Sequence, residues 1–272
     1  MRKNKISITS ILKWVFIGVI IFILYLPIII IFVLSIDSSK TGNTFSRFTF
    51  DWYIEIFTNR SLYMSIITSF AVALIATCIS AFLGTFAAIG IHALSKKVKS
   101  KVLLLNNIPV LNADIVTGIS IMIICSFLVT IIPNLFGYRT MLLAHVFFTM
   151  PYVILSVLPK LNEMDPNLYD AATDLGLKPM KALWTVVIPA IETGIISGAL
   201  LAFTLSIDDF VISYFTSGNG VQNFSNWIYV RLGRRNFTPA AYAYNSLLTF
   251  VILLVVLVPQ FKKSKKKGDL QR

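Results

Sequence analysis

The chain has 272 residues, 56% of them apolar and 13% charged, with a formal net charge of +12 and a mean hydropathy of +0.79. A soluble domain carries about 25% charged residues, and a core surrounded by water cannot absorb this much apolar surface. The basic excess sits at the ends of long apolar runs, so it reads as a topology signal and not as a nucleic-acid surface.

In chain order, Arg2, Lys3, Lys5 and Lys13 precede an apolar run from Trp14 to Ile36. That run is too long for a signal-peptide core and has no small-residue cleavage site, so it reads as a retained first span. Five further spans follow from hydropathy, near 62–91, 108–131, 140–158, 190–213 and 240–260. They run from 19 to 30 residues, enough for the about 20 that a hydrocarbon layer demands. The expected fold class is an all-α integral membrane protein, one transmembrane domain over 1–272 with six transmembrane helices. Lys and Arg number 4 before the first span, 4 in the 92–107 loop, 3 in the 159–189 loop and 6 in the tail, against 3, 1 and 3 in the other loops. This asymmetry predicts that both termini are cytoplasmic. The tail lysines Lys262, Lys263, Lys265, Lys266 and Lys267 fit that role, and their density also suits an anionic lipid surface.

Thr49–Phe57 alternates aromatic and acidic residues and predicts a short anchoring helix in the interface. Ala76, Ser80, Gly84 and Ala88 in span two, and Gly194 and Gly198 in span five, recur at a spacing that lets helices approach closely, within this chain or on a partner. Cys78 and Cys125 lie inside apolar runs and read as small packing residues. A single His145 in span four leaves two roles open, packing or proton relay. Glu192, at the start of span five, suits a helix N-terminus.

The loop 159–189 carries a full set of helix punctuation. Asp165 can cap a helix, Pro166 fits its first position, and Gly176 can close it in the left-handed conformation. A second short helix is predicted from Pro179 to about Ile188, ahead of Pro189. Leu168, Ala171, Ala172 and Leu175 share one face at i, i+3, i+4 and i+7. A helix of about ten residues is marginal alone, so it must dock, either beneath its own bundle or in a groove of a soluble partner.

Asp170-Ala171-Ala172, then Gly176, Val186 and Ile188-Pro189, resembles position by position the EAA loop of binding-protein-dependent ABC importer permeases. Asp, Val and Ile replace the family's Glu, Ile and Leu, which keeps charge and apolarity. The resemblance implies that Leu168, Asp170, Ala171, Ala172, Leu175, Gly176 and Pro189 form a cytoplasmic coupling helix, between spans four and five, that docks on an ABC ATPase. No G-x-x-x-x-G-K-S/T phosphate loop occurs in the chain. Nucleotide chemistry would then belong to a partner ATPase dimer, which binds ATP and Mg, and this chain would carry no cofactor and no enzymatic activity of its own.

Late in span five, Asp208 and Asp209 stand side by side, although a carboxylate costs about 2.5–3.5 kcal/mol at a helix centre in the membrane. A pair there suits a flexible polycation, with Phe210, Tyr214 or Trp227 able to add cation–π attraction. The residues alone also allow a pair that faces water or meets Arg231, Arg234 or Arg235. The run Phe203-Thr204-Leu205-Ser206-Ile207-Asp208-Asp209 is similar to the same region of spermidine/putrescine permeases. Asn112-Ala113-Asp114-Ile115-Val116 is similar to their Pro-Asp-Ile-Val element, with Pro109 as the nearby source of a kink. This resemblance implies a polyamine path lined by Asp114, Asp208 and Asp209. It also implies a bacterial cell-membrane location, a second permease subunit and an external binding protein. Another cationic solute would suit the same residues. A secondary carrier would display repeated halves, and a membrane enzyme would display a recognisable catalytic set. Neither is seen in the sequence.

Overall fold

The computed structural model describes residues 8–39, 45–132, 135–218, 220–233 and 238–253. Among these residues every regular element is helical, apart from one isolated bridge between Asp37 and Phe48. Lipid offers no partner for a free N–H or C=O, so helices that satisfy their own backbone are the natural outcome for such apolar runs. The helices are α1 (Ile8–Ser35), α2 (Asp51–Thr58), α3 (Arg60–His92), α4 (Lys96–Leu111), α5 (Asp114–Leu128), α6 (Tyr138–Glu163), α7 (Asn167–Asp174), α8 (Pro179–Ala190), α9 (Glu192–Ile207), α10 (Val211–Thr216), α11 (Phe224–Gly233) and α12 (Ala240–Leu253). Contacts group the chain into two compact units, Met64–Val230 and Met1–Tyr63 with Arg231–Arg272.

In the second of these units, the predicted interfacial segment is α2. Trp52 Nε1 donates to the Asp37 carbonyl at 2.6 Å. The Tyr53 hydroxyl meets Ser35 Oγ at 2.9 Å and Ser246 Oγ at 3.0 Å, and Thr238 Oγ1 donates to Glu55 Oε1 at 2.7 Å. Ile56 is buried while Phe50, Ile54 and Phe57 are exposed, the division that an anchoring helix requires.

Met64–Val230 is organised on α6, whose buried side chains include Val153, Val157 and Leu161. Glycines on two helices meet Val153. A Cβ on Gly84 of α3 would lie 2.9 Å from Val153 Cβ, and one on Gly198 of α9 would lie 3.0 Å from Val153 Cα. Ala76, Ser80 and Ala88 are also fully buried, so the small-residue stripes serve packing within this chain. Cys125 is buried, but Cys78 points outward and is no packing residue of this chain.

Three helices, from Leu12–Ser35, Arg60–His92 and Tyr138–Glu163, are long and apolar enough to cross a membrane, and two bent pairs raise the number to five among the described residues. The bends correct two predicted spans. Span three is not a continuous helix over 108–131, because α4 and α5 meet at 102°. The break falls at Asn112 and Ala113, both extended, while Pro109 stays inside α4. A hydropathy window merges Ile108–Leu111 with α5 because both are apolar, and it takes the lysine-rich start of α4 for a loop. Span five is interrupted twice, by a bend of 71° at Ile191 and by a break over 208–210. α8 likewise runs past Pro189 to Ala190, because a π-turn over Leu183–Val187 absorbs the missing proline N–H. The sixth predicted span is helical over Ala240–Leu253, and its remainder lies outside the described residues. So do Arg2, Lys3 and Lys5, the lysine tail, Arg234 and Arg235.

Candidate functional site

Two regions of Met64–Val230 bring the predicted residues together. The first is the break in span five. α9 ends at Ile207, and the chain restarts as α10 at Val211. Asp209 makes the restart possible: its Oδ2 accepts the Ser213 N–H at 2.7 Å and its Oδ1 accepts the Ile212 N–H at 3.3 Å. A carboxylate here satisfies backbone donors that the first turn of any helix leaves free.

The same carboxylate belongs to a buried polar network. His145 Nε2 lies 3.6 Å from Asp209 Oδ2 and 2.9 Å from Ser213 Oγ, and His145 Nδ1 lies 2.6 Å from Ser206 Oγ. Asn223 Nδ2 donates to the Asp209 carbonyl at 2.7 Å and to Ser213 Oγ at 2.9 Å. Thr149 Oγ1 donates to the His145 carbonyl at 2.6 Å and meets Ser80 Oγ at 2.7 Å. Both ring nitrogens of His145 are therefore engaged within the buried network. Asn226 is buried beside this network in sequence, and neither atom of its side-chain amide has a partner among the described residues.

The two adjacent carboxylates, both within the break, thus take different surroundings. Asp209 turns inward, its side chain 7% exposed, while Asp208 is exposed. Phe210 and Tyr214, close to Asp208 in sequence, gather with Tyr229 of α11: Phe210 to Tyr214 at 5.7 Å between centroids, Phe210 to Tyr229 at 4.8 Å, and Tyr214 to Tyr229 at 5.6 Å. Tyr214 is 47% exposed and Tyr229 54%. Trp227 is not among them. It is 1% exposed, stacked on Phe224 at 6.4 Å and 13°, and offers no ring face to a cation. Tyr229, which sequence reading passed over, stands two residues on, about 200° around the helix from Trp227. Helical register was the signal that could have found it.

Asp114 is exposed in the first turn of α5, where a helix N-terminus favours a carboxylate. A cavity of about 500 Å³ lies beside the α4–α5 break, bordered by Pro109, Asn112, Thr117, Ser120, Leu143 and Phe147 among others. No charged side chain lines it, so it does not suit a dication.

The second region is the loop over 159–189. Asp165 Oδ1 accepts the Asn167 N–H at 2.9 Å, and α7 follows over Asn167–Asp174. Gly176 has φ +87°, with its N–H donating to the Thr173 carbonyl at 2.9 Å and that of Leu177 to the Ala172 carbonyl at 3.2 Å. These two bonds form the Schellman closure that the glycine foretold. The predicted apolar face, however, divides. Ala172 is buried and Tyr169 packs on the core around α6, whereas Leu168, Asp170, Ala171, Leu175 and Gly176 are exposed. Leu175 is 87% exposed. Met180 and Trp184 of α8 add exposed apolar surface that the sequence reading did not single out, and Pro189 is exposed on the same helix.

Comparison with known proteins places this geometry. Residues 99–262 match the family described as binding-protein-dependent transport system inner membrane components. The chain is 30% identical over 249 residues to the spermidine/putrescine transport system permease protein PotC of Haemophilus influenzae, covering 92% of this chain and 95% of that one. It is 33% identical over 215 residues to the putrescine transport system permease protein PotI of Escherichia coli K12, covering 77% and 76%. Among solved structures, a bacterial ABC transporter that imports the acidic polysaccharide alginate superposes with a TM-score of 0.68 at 13% identity, covering 97% of this chain and 98% of that one. The last likeness concerns the fold alone.

Proposed function

Because the chain belongs to the family of binding-protein-dependent transport system inner membrane components, we propose that it is a permease subunit through which an ATP-driven importer takes up polyamines. The observation that carries the substrate class is Asp208, an exposed carboxylate at the break in span five, within a few residues of the rings of Phe210 and Tyr214. A polyamine is a chain of ammonium groups joined by methylenes. A carboxylate replaces water around the ammonium, and aromatic faces attract both the cation and the methylenes. Asp114 supplies a second exposed carboxylate on the way. The full-length similarity to a spermidine/putrescine permease supports the same class. The alginate importer shares the fold while carrying an acidic polymer, so the backbone by itself leaves substrate charge open.

In this reading α7 is the coupling helix. Leu168, Asp170, Ala171, Leu175 and Gly176 face the ATPase, with Met180 and Trp184 extending the contact, and Ala172 and Tyr169 hold the helix to its own bundle. ATP and Mg reside in that ATPase, a second permease subunit completes the path, and an external binding protein delivers the substrate. Closure of the ATPase pulls α7, and α8 passes the motion through Pro189 and the 71° bend into α9, which leads to the Asp208 break. Both termini lie on the cytoplasmic side, six helices cross the membrane, and the membrane is the bacterial cell membrane.

The test is uptake of labelled spermidine and putrescine in cells that express this chain with its neighbouring ATPase, permease and binding-protein genes, and in cells that lack only this chain. Saturable, ATP-dependent uptake that disappears without it is the expected result. Copurification with an ATPase but no polyamine uptake would keep the permease and discard the substrate.

A further inference from the structure

α4 is unlike the other long helices. Its 16 residues include no buried one. Its first two turns carry Lys96, Lys97, Lys99 and Lys101, and its second half exposes Leu104, Leu105, Ile108 and Leu111. It meets α5 at 102°. Lysines in its first two turns and leucines in its second half suit a helix that enters the bilayer from the headgroup layer, with its basic end at the surface and its apolar end in the hydrocarbon.

One face of α4 forms a recess of about 470 Å³, lined by Lys96, Lys99, Ser100, Leu103, Leu104 and Asn107. These positions follow helical spacing, so the two ammonium groups and the hydroxyl lie at one end and the two leucines one turn further along. From Lys96 to Leu104 is about 12 Å at the helical rise. No acidic residue occurs between Glu55 and Asp114. From α6, the groups that approach are Asn162, whose Oδ1 accepts from Lys99 Nζ at 3.2 Å, and Glu163, which is paired with Lys160 at 2.6 Å. No described carboxylate neutralises Lys96 or Lys99.

We propose that this face of α4 binds an anionic phospholipid, its phosphate held by Lys96, Lys99 and Ser100 and an acyl chain laid on Leu103 and Leu104. Charge complementarity selects the headgroup: each basic residue near an anionic surface contributes about 1 kcal/mol. The order along the helix, cations first and leucines next, matches the order of a phospholipid from headgroup to tail. The inference rests on α4 entering the membrane at its lysine end and is independent of the polyamine reading.

The experiment is native mass spectrometry of the full chain purified in detergent and titrated with phosphatidylglycerol or phosphatidylcholine. Wild type is expected to retain phosphatidylglycerol in preference. Lys96→Gln with Lys99→Gln should weaken that binding by about 30-fold, while Lys96→Arg with Lys99→Arg should keep it. Lys178→Gln with Lys181→Gln removes the same charge from two exposed lysines elsewhere and should leave binding unchanged. Equal retention of both lipids, an equal loss in this control variant, or full binding by the Lys96 and Lys99 Gln pair would each overturn the proposal. So would a Gln pair that keeps the lipid and loses copurification with the ATPase, which would make the recess a protein contact.

Discussion

Asp208 and Asp209 differ by one position and by almost everything else. Asp209 accepts two backbone N–H groups at the start of α10 and lies 3.6 Å from His145, while Asp208 is exposed. Their substitutions should therefore separate. Asp208→Asn removes the negative charge that faces the ammonium and should raise the KM for polyamine uptake by about tenfold, the difference between a charge-assisted and a neutral hydrogen bond, with the amount of folded subunit unchanged. Asp209→Asn keeps an oxygen for the cap and should transport nearly normally. Asp209→Ala should lower the melting temperature of the detergent-solubilised subunit, since losing such a cap costs about 0.5–2 kcal/mol. Equal uptake kinetics in Asp208→Asn and wild type would remove Asp208 from the path.

At the scale of elements, two glycines illustrate two different constraints. Gly198 has ordinary backbone geometry but no room: a Cβ would lie 3.0 Å from Val153 Cα, a backbone atom that cannot swing away. Gly198→Val should separate α9 from α6, cost about 1–3 kcal/mol as an overpacked contact, and reduce the yield of folded protein on gel filtration. Gly176 has open space around it but φ +87°. A side chain there costs about 1–2 kcal/mol through conformation alone, and the cost falls on the end of α7. Gly176→Asp should leave the subunit in the membrane at its normal level and abolish transport and stimulation of the ATPase. Normal uptake by that variant would end the coupling assignment for α7.

For the whole molecule, the distribution of lysine and arginine is the basis for the proposal that both termini are cytoplasmic. Reporter fusions check this: alkaline phosphatase joined after residue 272 should be inactive, and a cytoplasmic fluorescent reporter at the same place should be bright. The opposite pattern would place the C-terminus outside and overturn that assignment. Bending complicates any counting from hydropathy, because α4 and α5 share one apolar stretch yet diverge by 102°.

What the sequence determined by itself is what depends on local chemistry. Apolar run length marks α1, α3 and α6. The Asp165, Pro166 and Gly176 signals bracket α7, because capping and left-handed closure involve neighbours along the chain. The four-residue spacing of small residues announced close helix contacts. Tertiary structure decided the rest. Which way a side chain points at a break depends on partners far away in sequence: the Asp209 carboxylate turns inward toward His145 while Asn223 holds its main-chain carbonyl, and Asp208 remains outside. Trp227 is core and Tyr229 is surface because neighbours bury one side of α11, a choice that composition cannot express. The apolar face of α7 divides for the same reason, since the bundle beneath takes Ala172 and leaves Leu175 free. Periodicity reports that a face is apolar; only the packing of the other helices decides which part of it is already covered.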